Sequence, residues 1–428
     1  MDTAGNSAAS RDKAYLMHPM TNLKRHLEIE PTVVTGGKGI YVYDDAGKEY
    51  IEGLAGLWCT SLGFGEERLV EAAARQMRQL PYYHQFRGMG HHVGIDLAEK
   101  LLSIAPAGMS KVFFANSGSE ANDTILKLIW YYNNALGRPQ KKKVIARIKG
   151  YHGTTLAAAS LSGLPHMHKA FDLPMPGILH TDCPHYYRFG KDGESEEEFA
   201  TRMADSLEQL ILKEGPDTVA AFFAEPIMGA GGVITPPKTY FEKVQAVLKK
   251  YDVLFVADEV ICGFGRTGKM FATETYDLKP DFITVAKALS SAYLPISGVM
   301  MTQEVFDGIS RQSGELGVLG HRLQDGMRKF ASHPLVGEVR GIGLIGAIEL
   351  VKDKATHESF DVKDGIGAYC QDRAQEHGLI TRGMGDSLAF CPPLIITAAE
   401  IDEMLSRFGK ALDDTAAMVD QKKLAKVA

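Results

Sequence analysis

Seven short, continuous apolar runs between about residues 110 and 302 constrain the fold of this chain more than any other feature. The runs are VFFA, VIARI, GILHT, VAAFFA, VLFVA, FITVA and SGVMM, and amphipathic segments separate several of them. Strands without polar alternation are buried on both faces, and strands that alternate with helices form a mostly parallel sheet. The pattern therefore predicts an α/β fold.

The flanking segments differ from this region. Residues 1–60 hold a polar arm and then IYVYDDAGKEYIEG, whose two alternating runs flank a turn and predict a hairpin. We expect this part to join a smaller α+β domain completed by residues 323–428, while residues 61–322 form a large α/β domain. Within the large domain, KDGESEEEF at 191–199 is predicted to be a solvent-exposed loop.

Composition excludes several classes of function. The formal net charge of −6 and the pI near 6.2 indicate no binding to nucleic acid or to an anionic membrane. The apolar runs are too interrupted to predict a membrane-spanning helix. The opening MDTAGNSAASRDK lacks the features of a secretory signal, and the five cysteines are widely spaced, so a cytoplasmic location is expected.

Histidines cluster at three places along the chain. These are His91-His92, His166/His168 and His180/Cys183/His185. None of these groups has the paired C-x₂-C or H-x₃-H spacing that fixes a tetrahedral ion. Hydrogen-bonded or loop histidines are therefore the favoured interpretation, and no metal site is predicted.

Polar groups follow three of the predicted strands, where an open parallel sheet binds ligands. After VFFA, Ser117 and Glu120 have capping-box spacing around Gly118. Such a loop offers free N–H groups to a phosphate, although a capped helix without a ligand has the same pattern. Asp258 follows VLFVA and needs a cationic partner if buried. Lys287 follows FITVA, and it either extends to water or gains a reactive amine through burial.

These three groups together match the needs of one cofactor, pyridoxal 5'-phosphate. Its phosphate must be held, its pyridine nitrogen must be kept protonated by a carboxylate, and its aldehyde forms a Schiff base with a lysine. The strand ends offer a phosphate site, Asp258 and Lys287 for these needs.

The chain also resembles a known family, the class III pyridoxal-phosphate-dependent aminotransferases, or omega-transaminases. The matching stretches are GLWC, NSGSEAND, GYHGTT, AEPIMGAGG, ADEVICGFGRTG, TVAKAL and TRGMGDSLAFCPPLIIT, in this order over nearly the whole chain. The resemblance implies fold type I, the aspartate-aminotransferase-like fold, with a mostly parallel seven-stranded sheet and a smaller α+β domain. It also implies a homodimer, with a tetramer as the alternative, and sites at the subunit interface.

The resemblance implies a role for each matching residue. The residues expected to bind the cofactor are Ser117, Gly118, Ser119, Tyr151, His152, Glu225, Asp258, Val260 and Lys287. Lys287 would form the Schiff base, Asp258 would face the pyridine nitrogen, and Tyr151 and Val260 would pack on opposite faces of the ring.

The resemblance also implies a substrate pocket. The residues expected to form it are Trp58, Phe86, Tyr151, Ala230 and Arg382. Arg382 would hold a substrate carboxylate through two parallel charge-assisted bonds. The alternatives are core packing for Trp58 and Tyr151 and a surface ion pair with Asp386 for Arg382.

The implied reaction is a ping-pong transamination of the omega-amine:pyruvate type. It moves an amino group from an omega-amino acid or a primary amine to a keto acid. Pyruvate is the favoured acceptor and 2-oxoglutarate the alternative, while β-alanine, 4-aminobutyrate, diamines and aryl amines all stay open as donors.

Two glycine runs support an alternative, an NAD(P)-binding oxidoreductase. GFGRTG at 263–268 and GIGLIG at 341–346 both match G-x-G-x-x-G. The fingerprint requires a strand, a loop and a helix together. No helical stripe follows the first run, and the second continues into the strand-like AIEL, so this alternative is disfavoured.

The chain departs from the family pattern after LGVLGH, which ends at His321. In the family, a threonine-containing segment and a helix follow, and the threonine contacts the phosphate in the neighbouring subunit. Here Arg322 follows at once. Either the sequence omits a segment, or a real deletion leaves a catalytically impaired family member. We expect omission, because a deletion would expose core and leave a shared site incomplete.

Overall fold

The computed structural model describes residues 6–85, 90–393 and 395–424, and at 312–321 it describes the backbone alone. The chain divides into two compact units, Met1–Ile309 and Ser310–Ala428. The assignment of residues 1–60 to the smaller domain stays a prediction. No helix within the described ranges is long and apolar enough to cross a membrane.

The first unit contains a seven-stranded sheet and a small three-stranded one. Its strands are β1 (Val34–Lys38), β2 (Tyr41–Asp44), β3 (Glu49–Ile51), β4 (Met109–Ala115), β5 (Lys143–Arg147), β6 (Ile178–Thr181), β7 (Val219–Ala224), β8 (Leu254–Asp258), β9 (Phe282–Val285) and β10 (Ser297–Thr302). The large sheet has the order β4-β10-β9-β8-β7-β5-β6. Only β10 runs antiparallel to its neighbours in this sheet. Each of the seven apolar runs lies in one strand, so the predicted sheet is confirmed.

Helices cover both faces of the large sheet. The helices that begin in the first unit are α1 (Ala8–Tyr15), α2 (Leu23–Glu28), α3 (Ala55–Trp58), α4 (Glu67–Gln79), α5 (His92–Ile104), α6 (Gly118–Ala135), α7 (Leu156–Leu161), α8 (Tyr186–Phe189), α9 (Glu196–Glu214), α10 (Tyr240–Lys250), α11 (Ala272–Thr275) and α12 (Gln303–Arg328). In β7, Phe223 packs in a core with α6 and α7, whereas Phe222 packs in a core with α9 and α10. Burial on both faces explains why β7 is apolar throughout.

The predicted N-terminal hairpin is present. β2 and β3 pair antiparallel, with Val42 opposite Tyr50, and β1 adds a third strand. The Asp44 carboxylate closes the turn by accepting the N–H groups of Ala46 at 3.0 Å and Lys48 at 2.8 Å. The side chain of a turn aspartate commonly replaces a backbone acceptor in this way.

The second unit contains both strands and helices, while the predicted smaller domain of residues 1–60 and 323–428 stays a prediction. Its strands are β11 (Val336–Ile342), β12 (Ile345–Leu350), β13 (Arg382–Met384) and β14 (Ser387–Phe390), and its helices include α13 (Ile366–Glu376) and α14 (Ala398–Gln421). The strands form an antiparallel sheet in the order β11-β12-β14-β13.

Neither glycine run begins a helix that could bind a dinucleotide. GIGLIG spans the turn between the antiparallel strands β11 and β12, where Gly343 has a φ of +56°. GFGRTG precedes α11, which has four residues. The strand, loop and helix of the dinucleotide fingerprint are therefore not combined at either run.

The given sequence passes directly from His321 to Arg322, and both residues lie in α12. The choice between an omitted segment and an internal deletion stays a prediction.

Candidate active site

A cavity of about 570 Å³ lies where several strands of the large sheet end. Glu225 follows β7, Asp258 ends β8 and Lys287 follows β9, and all three line the cavity. The predicted site residues in its wall are Trp58, Ser117, Gly118, Ser119, Tyr151, His152, Glu225, Ala230, Asp258, Val260 and Lys287. The structure thus brings them together, while their individual roles stay predictions.

Lys287 begins a 3-10 turn directly beyond β9 and has a φ of +47°. Its Nζ lies 5.6 Å from the centre of the Trp58 ring. Burial lowers the pKa of the Lys287 amine, and the negative charge of Asp258 partly opposes this shift. A lowered pKa leaves more of the amine unprotonated, which is the form that attacks an aldehyde.

Asp258 is buried, with 4% of its surface exposed, and three groups fix its carboxylate. Oδ2 lies 2.9 Å from Asn122 Nδ2 and 2.9 Å from His152 Nδ1, while Oδ1 accepts the Val260 N–H at 3.1 Å. Asn122 is itself held, because its amide oxygen accepts the Thr284 hydroxyl at 2.7 Å. A buried, oriented carboxylate at the cavity wall suits a protonated ring nitrogen.

The sequence analysis did not identify Asn122 and Thr284 as residues of the site. The position of Asn122 in the sequence does, however, indicate that its side chain is buried. Asn122 precedes Ile125 and Leu126 by three and four residues and therefore shares their helical face. All three side chains are buried in α6. A polar amide on an apolar face needs a hydrogen-bonding partner, and here the main one is Asp258.

The residues of the predicted phosphate site lie at the N-terminus of α6. Ser117 and Glu120 make a reciprocal capping box, with the Ser117 hydroxyl accepting the Glu120 N–H at 3.2 Å. The N–H groups of Gly118 and Ser119 have no hydrogen-bond acceptor within the described part of the chain. Free N–H groups at a helix N-terminus bind anions.

Glycines keep this end of the cavity open for a ligand. A Cβ on Gly153, whose φ is +137°, would lie 2.4 Å from Ser119 Oγ. A Cβ on Gly118 would lie 3.1 Å from Val260 Cγ2. A side chain at either position would therefore crowd the atoms at this end of the cavity.

Glu225 is buried behind Tyr151. Its carboxylate accepts the Tyr151 N–H at 2.9 Å and the Gly229 N–H at 2.8 Å, and its carbonyl accepts a bond from the Arg147 guanidinium. Burial raises the pKa of Glu225. The side chain therefore fixes the loop that carries Tyr151 into the cavity wall.

A left-handed helical turn carries Trp58 and Leu57 into the cavity. The four residues of α3 have φ values of +52°, +57°, +74° and +61°, from Ala55 to Trp58. The Glu52 carboxylate accepts the N–H groups of Leu54, at 3.2 Å, and Gly56. Left-handed backbone costs about 1–2 kcal/mol for each residue with a side chain. These hydrogen bonds help to hold the turn in a conformation that the sequence alone disfavours.

Two predicted pocket residues are not in this group. Phe86 lies outside the described residues. Arg382 is exposed at the start of β13, in the second unit, and makes no ion pair with any described residue. The Asp386 carboxylate accepts the Gly367 N–H at 3.2 Å. The surface pair between Arg382 and Asp386 is therefore not formed, and the substrate-binding roles of Phe86 and Arg382 stay predictions.

Comparison with known proteins shows relatives along nearly the whole chain. The family described as aminotransferase class-III matches residues 24–318 and 314–412. Gamma aminobutyrate transaminase 3, chloroplastic, of Solanum lycopersicum is 51% identical, with 96% of this chain and 86% of that protein covered. Gamma-aminobutyrate transaminase 1, mitochondrial, of Oryza sativa subsp. japonica is 50% identical, with 96% and 87% covered.

A solved structure supports the same relationship. The omega-transaminase from Pseudomonas jessenii in complex with PMP is 50% identical, with a TM-score of 0.72, and the match covers 97% of this chain and 99% of that one. The fold is accordingly that of the pyridoxal-phosphate enzymes of fold type I, as expected.

The comparisons also locate the departure from the family pattern. The alignment with the tomato protein spans 447 positions, more than the 428 residues of this chain, so that protein has residues with no counterpart here. The two matches to the family meet at residues 314–318, close to His321. Apart from this gap, the match covers most of the chain, and the chain belongs to the class III aminotransferases.

Proposed function

We propose that this aminotransferase uses pyridoxal 5'-phosphate to move an amino group from an omega-amino acid, 4-aminobutyrate in particular, or a primary amine to pyruvate. The observation that carries the proposal is the convergence of Lys287, Asp258 and the N-terminus of α6 on one cavity. The names of the plant relatives, which are gamma-aminobutyrate transaminases, support the donor class.

The donor groups around the cavity fit this cofactor. When bound, it supplies an aldehyde that condenses with amines and a ring that accepts electrons from the donor carbon. The N–H groups of Gly118 and Ser119 hold its phosphate. Asp258 keeps a proton on the ring nitrogen, and its bonds with Asn122 and His152 fix the carboxylate for this task.

Lys287 has two tasks in the proposed reaction. Its Nζ would hold the cofactor through its aldehyde. The same Nζ, when free of the cofactor, would carry a proton to and from the donor carbon. The lowered pKa of the amine suits a group that must be unprotonated to accept this proton. The two half-reactions use the same residues in opposite directions, which makes the mechanism ping-pong.

The cavity wall favours substrates with an apolar segment near the amine. Leu57, Trp58 and Leu294 contribute apolar surface, and Ala230 leaves space beside them. The carboxylate of an omega-amino acid or of pyruvate needs a cation as its partner, and Arg382 is proposed to supply it.

Replacement of Lys287 tests the proposal. In the wild type, borohydride reduction of the enzyme with bound cofactor should attach the cofactor to Lys287, as peptide mass mapping would show. Lys287→Ala should keep its circular dichroism spectrum, lose this label and lose transamination. The exposed Lys269→Ala is the matched control and should keep both. Wild-type turnover by Lys287→Ala would overturn the proposal.

A panel of amine donors, each measured with pyruvate and with 2-oxoglutarate, identifies the substrates. The proposal requires 4-aminobutyrate or another omega-amino acid among the best donors, and a higher kcat/KM with pyruvate than with 2-oxoglutarate. A clear preference for 2-oxoglutarate would contradict the acceptor assignment and leave the Lys287 chemistry intact.

An internal deletion would favour a second candidate function, a family member that binds the cofactor but turns over poorly. The missing segment is the one that, by resemblance, carries a phosphate contact to the neighbouring subunit. Saturating pyridoxal phosphate separates the two candidates. Transamination under these conditions supports the first candidate, whereas a labelled Lys287 without transamination of any donor supports the second.

A further inference from the structure

Three metal-ligating side chains converge in the N-terminal arm, apart from the Lys287 chemistry. They are Asp12 on α1, His18 in the following loop and His26 on α2. His18 Nε2 lies 3.0 and 2.9 Å from the two oxygens of the Asp12 carboxylate. His26 Nε2 lies 2.9 Å from Oδ1 of the same carboxylate. One ligand atom from each residue falls within 4.8 Å of the others.

The imidazole of His26 is buried in an unusual way. Only 6% of the residue is exposed, and among the described residues its Nε2 lies 2.9 Å from Asp12 Oδ1 but has no well-aligned hydrogen bond. A buried ring nitrogen without a well-aligned hydrogen bond is disfavoured, so a further partner would stabilise it. An ion shared by this nitrogen and the Asp12 carboxylate would be such a partner.

The spacing of the three groups also suits an ion. Zinc binds histidine nitrogen at about 2.0–2.1 Å and carboxylate oxygen at about 2.0–2.2 Å. Tetrahedral ligands at those distances are themselves about 3.3 Å apart, so the nitrogen–oxygen separations of 2.9–3.0 Å here would have to widen by only a few tenths of an ångström. The two imidazole rings are 4.3 Å apart between centres and tilted by 40°, so both can reach one point.

We propose that Asp12, His18 and His26 bind one divalent transition-metal ion of the Zn²⁺ class. Two imidazoles and one carboxylate form a ligand set that such ions prefer, and three protein ligands leave a position for water. The sequence shows no recognisable spacing because the ligands come from two helices and a loop, and this is why none of the histidine clusters in the sequence predicts the site.

The ion would also act on the active-site cavity. Met20 lies between His18 and His26 in the chain and lines the cavity. An ion joining α1, the loop and α2 would restrict the movement of the segment that carries Met20. The metal would therefore have a structural task beside the cavity, and its binding does not depend on the proposed reaction.

Metal binding to the enzyme with bound cofactor, without a histidine tag or excess free cofactor, tests the proposal. The protein is stripped with a chelator, dialysed and titrated with Zn²⁺. One ion per chain is expected, and X-ray absorption at the zinc edge should show two imidazole ligands. His18→Asn should bind at least about 100-fold more weakly, since even groups that only orient a metal ligand contribute 10- to 100-fold. Asp12→Asn should have a similar effect.

His357→Asn is the matched control, because it removes an exposed imidazole from the second unit. It should bind Zn²⁺ as the wild type does. Binding that is equally tight in His18→Asn and the wild type would place the ion elsewhere and overturn the proposal. Absence of Zn²⁺ binding by the wild type, or a zinc spectrum without imidazole ligands, would also overturn it, and neither result depends on the folding of a variant.

Discussion

Asn122 shows how one side chain can control a site without being expected to touch the substrate. Its amide donates to Asp258 and to the backbone oxygen of His152, at 2.9 and 2.7 Å, and accepts from Thr284. Each of these bonds restricts the carboxylate that the proposed mechanism needs in one orientation. A hydrogen bond to a charged group contributes about 1.5–3 kcal/mol.

Asn122→Ala should therefore lower kcat/KM by roughly 10- to 100-fold. Asn133→Ala is the matched control, since Asn133 is also fully buried in α6 but bonds only within its own helix, to the carbonyl of Ile129. Both variants should lose stability in thermal unfolding, whereas only Asn122→Ala should lose turnover with saturating cofactor. Equal activity of the two variants would show that Asn122 does not orient Asp258.

Glu259 gives the folded state a dependence on pH. It is fully buried, it accepts the N–H groups of Ala272 at 3.1 Å and Thr273 at 2.6 Å, and burial raises its pKa to about 7 from an ordinary 4.5. The folded protein thus holds this proton more tightly than the unfolded chain does. The free energy of unfolding should fall as the pH rises from about 4.5 to about 7, by about 3 kcal/mol.

Glu259→Gln should remove this part of the pH dependence. Urea unfolding at pH 5, 6, 7 and 8 measures the free energy of unfolding at each pH. The change of this free energy with pH is compared between the two proteins, because glutamine also alters the two hydrogen bonds and so shifts the absolute stability. The exposed Glu71→Gln should follow the wild-type curve. A slope unchanged in Glu259→Gln would mean that other groups cause the pH dependence.

At the scale of helices, two identical capping boxes can separate stability from cofactor binding. Ser117 with Glu120 begins α6 at the cavity, and Ser195 with Glu198 begins α9 elsewhere in the unit. In both, the serine hydroxyl accepts an N–H at 3.2 Å. Loss of such a cap costs typically about 1 kcal/mol.

Ser117→Ala and Ser195→Ala should accordingly lower the thermal midpoint by similar amounts. Only Ser117→Ala should weaken the binding of pyridoxal phosphate, by about fivefold, because its helix N-terminus is the one proposed to hold the phosphate. Fluorescence titration of the protein freed of cofactor measures this affinity. Equal affinities in the two variants would exclude α6 from phosphate binding.

The second capping box also shows where the sequence prediction was wrong. The segment at 191–199 was expected to be a loop, but α9 begins at Glu196. The spacing of Ser195 and Glu198 was a sufficient signal, and the charged composition obscured it. The seven strands of the large sheet were predictable because a short, continuous apolar run is typical of a strand buried on both faces. The turn of α3 could not be predicted, because a left-handed backbone produces no periodic pattern in the sequence.

At the scale of the molecule, part of the site was predictable and part was not. Lys287 and Asp258 follow apolar strands, so the parallel sheet brings them together, as the sequence indicates. Asn122 and Thr284 reach Asp258 through contacts between distant parts of the chain, which no local pattern encodes. The homodimer and the cytoplasmic location stay predictions.

The departure from the family pattern beside His321 gives a prediction for the assembled protein. A chimera that receives the corresponding segment of the tomato relative between His321 and Arg322 should bind pyridoxal phosphate at least about tenfold more tightly, since one charge-assisted hydrogen bond is regained. An insertion of equal length made of glycine and serine should give no gain. Equal affinities of the chimera and this control would show that the segment holds no phosphate, and light scattering reports whether each protein is a dimer.

The turn that carries Trp58 has a consequence for remodelling the pocket by mutagenesis. Its backbone has the opposite handedness to ordinary protein helices. A replacement at position 58 must therefore tolerate a positive φ as well as fit the available space. A saturation library at this position should give its highest melting temperatures with glycine, then asparagine, and its lowest with valine, isoleucine and threonine. A pocket enlarged by substitution at this position should thus tolerate an achiral residue better than a branched one.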